Sequence, residues 1–427
     1  MTLRGLQIPE PSAAASAASL ALQQLIAADI VQNGGAIAFA RYMELVLYSP
    51  GLGYYSGGAT KLGQDGDFTT APEITPLFGQ TLAHVCAALA PSSAPERDAA
   101  TAPNDTAAPT LHASAHETGY AGEAIDAPGA GLHILEFGAG SGKLAFDLLH
   151  EAHHSGIRIE QYAILELSGS LRARQQAMLH EFAEVCWLEQ LPARFSGVVL
   201  ANEVLDAMPV HLVCKQLDGW HEMRVGLNTG DGAARFVWQS TPCSADLLAC
   251  IARQIPDADD LQTGYLTEIH PHAAAFTQSL AHMLQGPAAA VLIDYGFPAH
   301  EYYLNQRHRG TLHCHYRHHA HDDPFYLPGL QDITAHVDFS DIARQARQGG
   351  LDVLSYSSQA AFLLDSGITS LLLRTDPHDA GRYLPQANAL QRLLSPAEMG
   401  ELFKVLILGK NCDLPRAWER NNRLDRL

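Results

Sequence analysis

Basic residues are scarce in this chain. Its 427 residues carry 27 lysines and arginines against 46 aspartates and glutamates, a net charge of −19. So acidic a chain repels phosphate backbones, which argues against nucleic acid as the main partner and favours a cationic one. Cysteine is sparse as well: seven residues, odd in number, scattered and without a C-x-x-C pair. That argues against a disulfide framework and points to a reducing compartment. No uninterrupted apolar run of about 18 residues occurs, so no membrane span is expected. The N-terminus has Arg4 alone, with Glu10 close by. It falls short of the basic segment and apolar core of a secretory signal, and of the arginine content of a mitochondrial presequence. A cytoplasmic location is the expectation.

What is present is a globular composition, 47% hydrophobic and 17% charged, with length enough for one large domain plus elaborations or for two. Its organising stretch is His133-Ile-Leu-Glu-Phe-Gly-Ala-Gly-Ser-Gly142, followed by Lys143-Leu-Ala-Phe-Asp-Leu-Leu149. A short apolar run enters a glycine turn and a helical pattern leaves it, the opening of a nucleotide-binding α/β unit. Gly138, Gly140 and Gly142 permit a sharp turn and close approach of a ligand. The G-x-G-x-G spacing, with Glu136 two residues ahead, differs from the G-x-G-x-x-G that cradles a dinucleotide pyrophosphate. A carboxylate there repels phosphate but suits a ligand with a ribose and a cationic head. S-adenosylmethionine is such a ligand.

Beyond residue 133 strand and helix patterns alternate, which predicts a parallel sheet. Expected strands are His133–Phe137, Gln161–Leu165, Val185–Leu188, Gly197–Ala201 and Ala288–Ile293, with a later one at Leu351–Tyr356. Expected helices include Ser141–Ala152, Ser168–Phe182 with Ser168 as N-cap, Pro271–Met283 and one around Pro396–Phe403. A hairpin-like region spans Val210–Trp238, with turns at Asp218-Gly219 and Asn228–Gly232. Ahead of the sheet, helical patterns over 12–31, Ile37–Leu47 and from Thr75-Pro76 toward Cys86 suggest a helical cap over 1–90. Residues 91–131, mostly Ala, Pro, Ser, Thr, Asp and Gly, read as a flexible linker or loop. The main domain is expected over 132–410, with a tail over 411–427.

Two further constellations bear on chemistry. Glu166 ends the second strand and follows the glycine turn at about the 20-residue spacing of a ribose-binding acid. NAD enzymes place an acid there too, so Glu166 indicates a nucleoside without choosing the cofactor; a surface glutamate after a strand is the bland alternative. Then Leu200-Ala-Asn-Glu-Val-Leu-Asp-Ala-Met-Pro-Val-His211 carries Asn202, Glu203 and Asp206 to the carboxyl end of a buried strand, where open α/β sheets hold ligands. An amide and two carboxylates grouped there are costly without a cationic partner. Helix capping is the competing role for Asp206.

At these residues the sequence resembles the MidA family of S-adenosylmethionine-dependent methyltransferases, which includes a mitochondrial complex I assembly methyltransferase. The likeness rests on Gly66-Asp-Phe with Pro72-Glu-Ile, Leu135 to Gly142, Ile164-Leu-Glu-Leu-Ser168 and Ala201 to Pro209. It continues through Ile293-Asp-Tyr-Gly296, Gly329 to Phe339 and Met399-Gly400, so it spans about 35 to 410. The resemblance implies an α/β, class I, Rossmann-like methyltransferase sheet with an N-terminal helical cap, an inserted hairpin and C-terminal elaborations. It also implies a protein substrate bearing arginine, in the mitochondrial members a complex I subunit. Asn202 is a departure, standing where the mitochondrial members carry histidine.

The expected cofactor, S-adenosylmethionine, would be held by Glu136, Gly138, Gly140, Gly142, Glu166, Ser168, Glu189, Gln190 and Asn202. The expected catalytic group is Glu203 and Asp206, with Glu73 from the cap, drawing the charge of a permanently protonated guanidinium to one side so that one nitrogen keeps a usable lone pair. Two other functions compete: a non-catalytic assembly factor that keeps the cofactor as a structural ligand and docks a partner, and an NAD-dependent oxidoreductase. The second is weakened by the glycine spacing. His313-Cys-His-Tyr-Arg-His-His-Ala-His321 resembles a metal site by count, but alternate strand residues point to opposite faces, so no metal is expected. Asp332, His336 and Asp338 could line a substrate cleft or belong to a structural loop.

Overall fold

The computed structural model describes residues 9–57, 70–90, 125, 131–228, 230 and 235–427. The Gly66-Asp-Phe motif, nearly all of the 91–131 stretch and most of the 228–232 turn lie outside the described residues.

The molecule is built on a seven-strand array: β1 (Leu132–Phe137), β2 (Ile159–Leu165), β3 (Val185–Leu188), β4 (Gly197–Asn202), β5 (Ala288–Phe297), β6 (Asp352–Ser358) and β7 (Phe403–Lys410). Their spatial order is β6-β7-β5-β4-β1-β2-β3, and the two-residue strand Val337–Asp338 adds to the end of β5. β1 to β5 are parallel, while β7 runs antiparallel between β5 and β6. The order reverses at β1 and β4. Crevices at such a reversal, beyond the carboxyl ends of the strands, are where ligands sit. β1 is buried along its whole length and β5 nearly so, which is why both read as near-continuous apolar runs.

The inserted region is larger than a hairpin. Ala36–Ala38, His211–Gln216, Gly219–Asn228, Arg235–Pro242 and Leu266–Ile269 form an antiparallel sheet. The turn expected at Asp218-Gly219 joins two of its strands. The described residues among the first ninety divide between two cores. Helices α1 (Ala13–Gln32) and α2 (Phe39–Tyr48) pack Leu22, Ile26, Phe39 and Tyr42 with Leu212 and Val225 of the antiparallel sheet. By contrast α3 (Ala71–Ile74) and α4 (Pro76–Ala88) lie against α5 (Lys143–Ser155), where Phe78 and Leu82 join the core of the main sheet. Among the described residues α1, the helix expected over 12–31, is long and apolar enough to cross a bilayer, although no such segment was expected. Leu22, Ile26 and Ile30 on one of its faces are fully buried in the protein.

Candidate active site

A cavity of about 610 Å³ opens at the β1/β4 reversal, within the size range of small-molecule sites. Its floor is the glycine turn. Gly138 and Gly140 hold φ of +60° and +54°, a left-handed backbone that side chains disfavour. Gly142, at φ +88°, caps α5 and faces Gln175 instead of the cavity. Glu73 of α3 accepts a hydrogen bond from Ser141 Oγ, so the N-terminal segment fastens the turn from above.

Glu136 is buried in the cavity wall and accepts the Tyr162 hydroxyl at 2.8 Å. Burial, with some repulsion from Glu166, pushes its carboxyl up to about 8. A cation placed beside it would draw that proton off. Glu166 is tightly held: Oε1 accepts the Ser168 amide at 2.9 Å and Oε2 accepts Gln175 Nε2 at 2.9 Å. The same Gln175 nitrogen reaches Gly140 O at 3.0 Å, and Gln175 Oε1 accepts Trp187 Nε1 at 3.0 Å. Gln175 therefore ties the ribose-position acid to the glycine turn. Ser168 caps helix α6 (Gly169–Met178) by accepting the Leu171 amide at 3.3 Å.

The loop after β4 supplies the third group. Glu203 adopts φ +54°, a strained conformation for a side-chain-bearing residue. It is fixed there because its amide donates to Ile293 O at 2.8 Å. Burial and the neighbouring Asp206 push its carboxyl up to about 8. Asp206 is buried and its carboxyl rises to about 6, chiefly through burial, although Tyr295 donates a hydrogen bond to it. No helix follows Asp206, only a turn, so the capping role does not apply. Behind it the fully buried Asp294 accepts the amides of Leu205 and Asp206 at 2.9 and 3.2 Å. Asn202 Oδ1 and Asp206 Oδ1 are buried without a hydrogen-bond partner.

The structure brings Glu73, Glu136, Gly138, Gly140, Glu166, Ser168, Asn202, Glu203 and Asp206 to this one cavity. Glu189 and Gln190 are exposed and do not line it; Leu191, next along, does. Asp332 lines it as well. His336 instead packs edge-on against Tyr295, and Asp338 caps the helix Phe339–Gln348, so both have structural places. Sequence reasoning missed Tyr48, Tyr55, Gln175 and His272, single residues whose only signal is their position in space. Among the described residues no three His, Cys, Asp or Glu side chains are grouped to hold a metal, the histidine-rich strands included.

The glycine cradle, the anchored acid at the ribose position and a buried acid beside the turn fit S-adenosylmethionine, with a sulfonium and an ammonium to meet carboxylates. Together with the strand order they define a class I S-adenosylmethionine-dependent methyltransferase. The model of one family, described as S-adenosyl-L-methionine-dependent methyltransferase, matches residues 121–357, and the chain belongs to that family. A crystal structure from Burkholderia thailandensis bound to S-adenosyl-homocysteine is 45% identical, with TM-score 0.83, covering 99% of this chain and 100% of the other. The bovine mitochondrial protein arginine methyltransferase NDUFAF7 is 29% identical over 88% of this chain and 81% of its own. Its Danio rerio counterpart is 28% identical over 92% and 88%. These findings bear out the MidA resemblance, the fold and the cofactor. They overturn the expected cytoplasmic location, because the bovine, zebrafish and human relatives are named mitochondrial proteins.

Proposed function

We propose that this methyltransferase acts on an arginine side chain of a protein, with a respiratory complex I subunit as the candidate substrate. One observation carries the reading. Six carboxylates line the cavity (Glu73, Glu136, Glu166, Glu203, Asp206 and Asp332), with no lysine or arginine among the described lining residues. Such a wall is costly by itself and becomes favourable only around cations. The names of the relatives support arginine as the acceptor.

In this reading Glu136 and Glu166 serve the nucleoside side of the cavity, while Glu203 and Asp206 hold the guanidinium. When bound, S-adenosylmethionine supplies a methyl group already activated on a cationic sulfur, so the protein's task is placement and electrostatics. Two carboxylates against one edge of the guanidinium localise its charge there and leave the far nitrogen richer in electrons. Glu203 and Asp206, with carboxyls near neutrality, are also suited to take the proton that must leave the methylated nitrogen.

The test is incubation with methyl-labelled S-adenosylmethionine and a cell lysate, followed by identification of the labelled protein and residue. Label on arginine, lost with Glu203→Gln while calorimetric cofactor binding persists, supports the reading. Label confined to another residue type, or full turnover by Glu203→Gln, sinks it.

A further inference from the structure

The wall of the cavity contributed by the N-terminal segment has a chemistry of its own. Tyr48, at the end of α2, and Tyr55, in the turn that follows, stack with ring centroids 5.5 Å apart and planes 25° from parallel. Both hydroxyls are committed to protein. Tyr48 donates to Ala207 O at 2.8 Å, and Tyr55 donates to both oxygens of Asp332 at 3.0 and 3.1 Å. These bonds join the N-terminal segment to the loop carrying Glu203 and Asp206 and to the short strand Asp332–Thr334. With the hydroxyls tied back, the half-buried rings offer the cavity π surface, and Asp332 beside them adds negative charge. Aromatic faces next to a carboxylate favour a cation, and a flat guanidinium stacks on such rings where a compact, strongly hydrated ammonium does not.

We propose that Tyr48, Tyr55 and Asp332 form the acceptor subsite, taking a planar cationic side chain whose head reaches Glu203 and Asp206. This rests on the reading of the protein as an arginine methyltransferase and deepens it by assigning acceptor recognition to the N-terminal segment. That segment is then part of the active site and more than a cover for the sheet.

The experiment uses the full chain saturated with S-adenosylhomocysteine, titrated with acetyl-arginine amide or acetyl-lysine amide and followed calorimetrically and by NMR. The expected result is saturable binding of the arginine derivative. It should weaken about tenfold in Tyr55→Ala and in Tyr48→Leu, and by a similar factor in Asp332→Asn, while the Kd for S-adenosylhomocysteine stays within about twofold of the parent chain. Tyr55→Phe, which keeps the ring, should bind arginine more tightly than Tyr55→Ala. Arginine binding that is unchanged in all these variants overturns the subsite and leaves arginine methylation standing. Loss of S-adenosylhomocysteine affinity in parallel with arginine affinity makes the wall structural and likewise overturns it. Tighter binding of the lysine derivative overturns the arginine reading and the guanidinium assignment with it. Absence of saturable arginine binding, with S-adenosylhomocysteine still bound, overturns the subsite.

Discussion

Asp294 accepts the backbone amide of Asp206 at 3.2 Å and that of Leu205 at 2.9 Å. A fully buried carboxylate toward the carboxyl end of β5 thereby fixes the loop that carries Glu203 and Asp206, and it does so beside another buried carboxylate. Burial together with repulsion from Asp206 and Glu203 holds the Asp294 carboxyl well above its ordinary range. Replacement by alanine would take the acceptor from three amides, that of Tyr295 at 2.9 Å included, at about 1–3 kcal/mol for each. Asp294→Ala is therefore expected to lose several kcal/mol in denaturant unfolding and to abolish transfer. Asp294→Asn keeps an acceptor for these amides, and the raised Asp294 carboxyl already carries its proton where Asp206, at about 6, titrates. The acid limb of its pH–rate profile should therefore stay close to that of the parent chain. An acid limb displaced to lower pH would show that Asp294 is charged beside Asp206.

Glu203 poses a trade between stability and function. Its φ of +54° is costly for any residue with a Cβ, at about 1–2 kcal/mol. Glycine removes that strain and the carboxylate together. Glu203→Gly is expected to melt no lower than the parent chain, within about 1 kcal/mol, while losing methyl transfer. A variant that melts much lower would show that contacts of the carboxylate outweigh the backbone strain.

Stability should depend on pH in a defined window. Glu136 and Glu203 have carboxyls raised to about 8 by burial, so the folded chain keeps protons that the unfolded chain has lost. Stability then falls as pH rises from the ordinary carboxylate range toward 8. Buried His270 and His336, lowered to about 4 and about 3 by burial, act in the opposite sense below about 6.5. The acids are therefore read cleanly between pH 6.5 and 8. Melting temperature is expected to drop across that interval in the protein alone, and to drop less in Glu203→Gln. The stabilisation given by S-adenosylmethionine, whose cationic head the proposed reading sets on the Glu136 side of the cavity, should grow over the same interval. A flat profile, or a cofactor shift independent of pH, would contradict the burial of these two carboxyls as charged-state liabilities.

How far the sequence disclosed this site follows from the range of each contact. The glycine turn, Glu166 with Ser168, and the Asn202–Asp206 loop are contiguous motifs at strand ends, where topology alone delivers them to one crevice. Ser168 as a cap and the helix Pro271–Met283 were readable for the same local reason. Tyr55 meets Asp332 across 277 residues of chain and Tyr48 meets Ala207 across 159, and an isolated tyrosine in a turn has no periodicity to betray such a contact. Strand β7 was hidden differently: the helix expected around Pro396–Phe403 is present but only one turn long, Met399–Leu402, after which Phe403-Lys-Val-Leu-Ile-Leu-Gly-Lys410 forms the inner antiparallel strand. Short apolar runs of that kind fit helix and strand alike until their neighbours are known. Glu189 and Gln190 sit one step beyond β3, and the chain turns Leu191 inward instead.

Gln175 offers a sharp test of the nucleoside side. It is fully buried, and its amide bridges Glu166 Oε2, Gly140 O and Trp187 Nε1. Without it, the Glu166 side chain keeps only backbone partners, the Ser168 amide at 2.9 Å and those of Leu167 and Gly140. Gln175→Leu preserves volume and removes all three hydrogen bonds. Glu166 would then be free to swing, and the Gly140 carbonyl would lose its buried donor, at about 1–3 kcal/mol. Calorimetry well below the melting temperature should show S-adenosylhomocysteine binding weakened by about tenfold or more. Affinity for an arginine derivative, measured at saturating S-adenosylhomocysteine, should change little, because the side-chain partners of Gln175 are Glu166, Gly140 and Trp187 and not the Glu203 loop. Unaltered S-adenosylhomocysteine affinity would mean that Glu166 is positioned by its own backbone bonds alone.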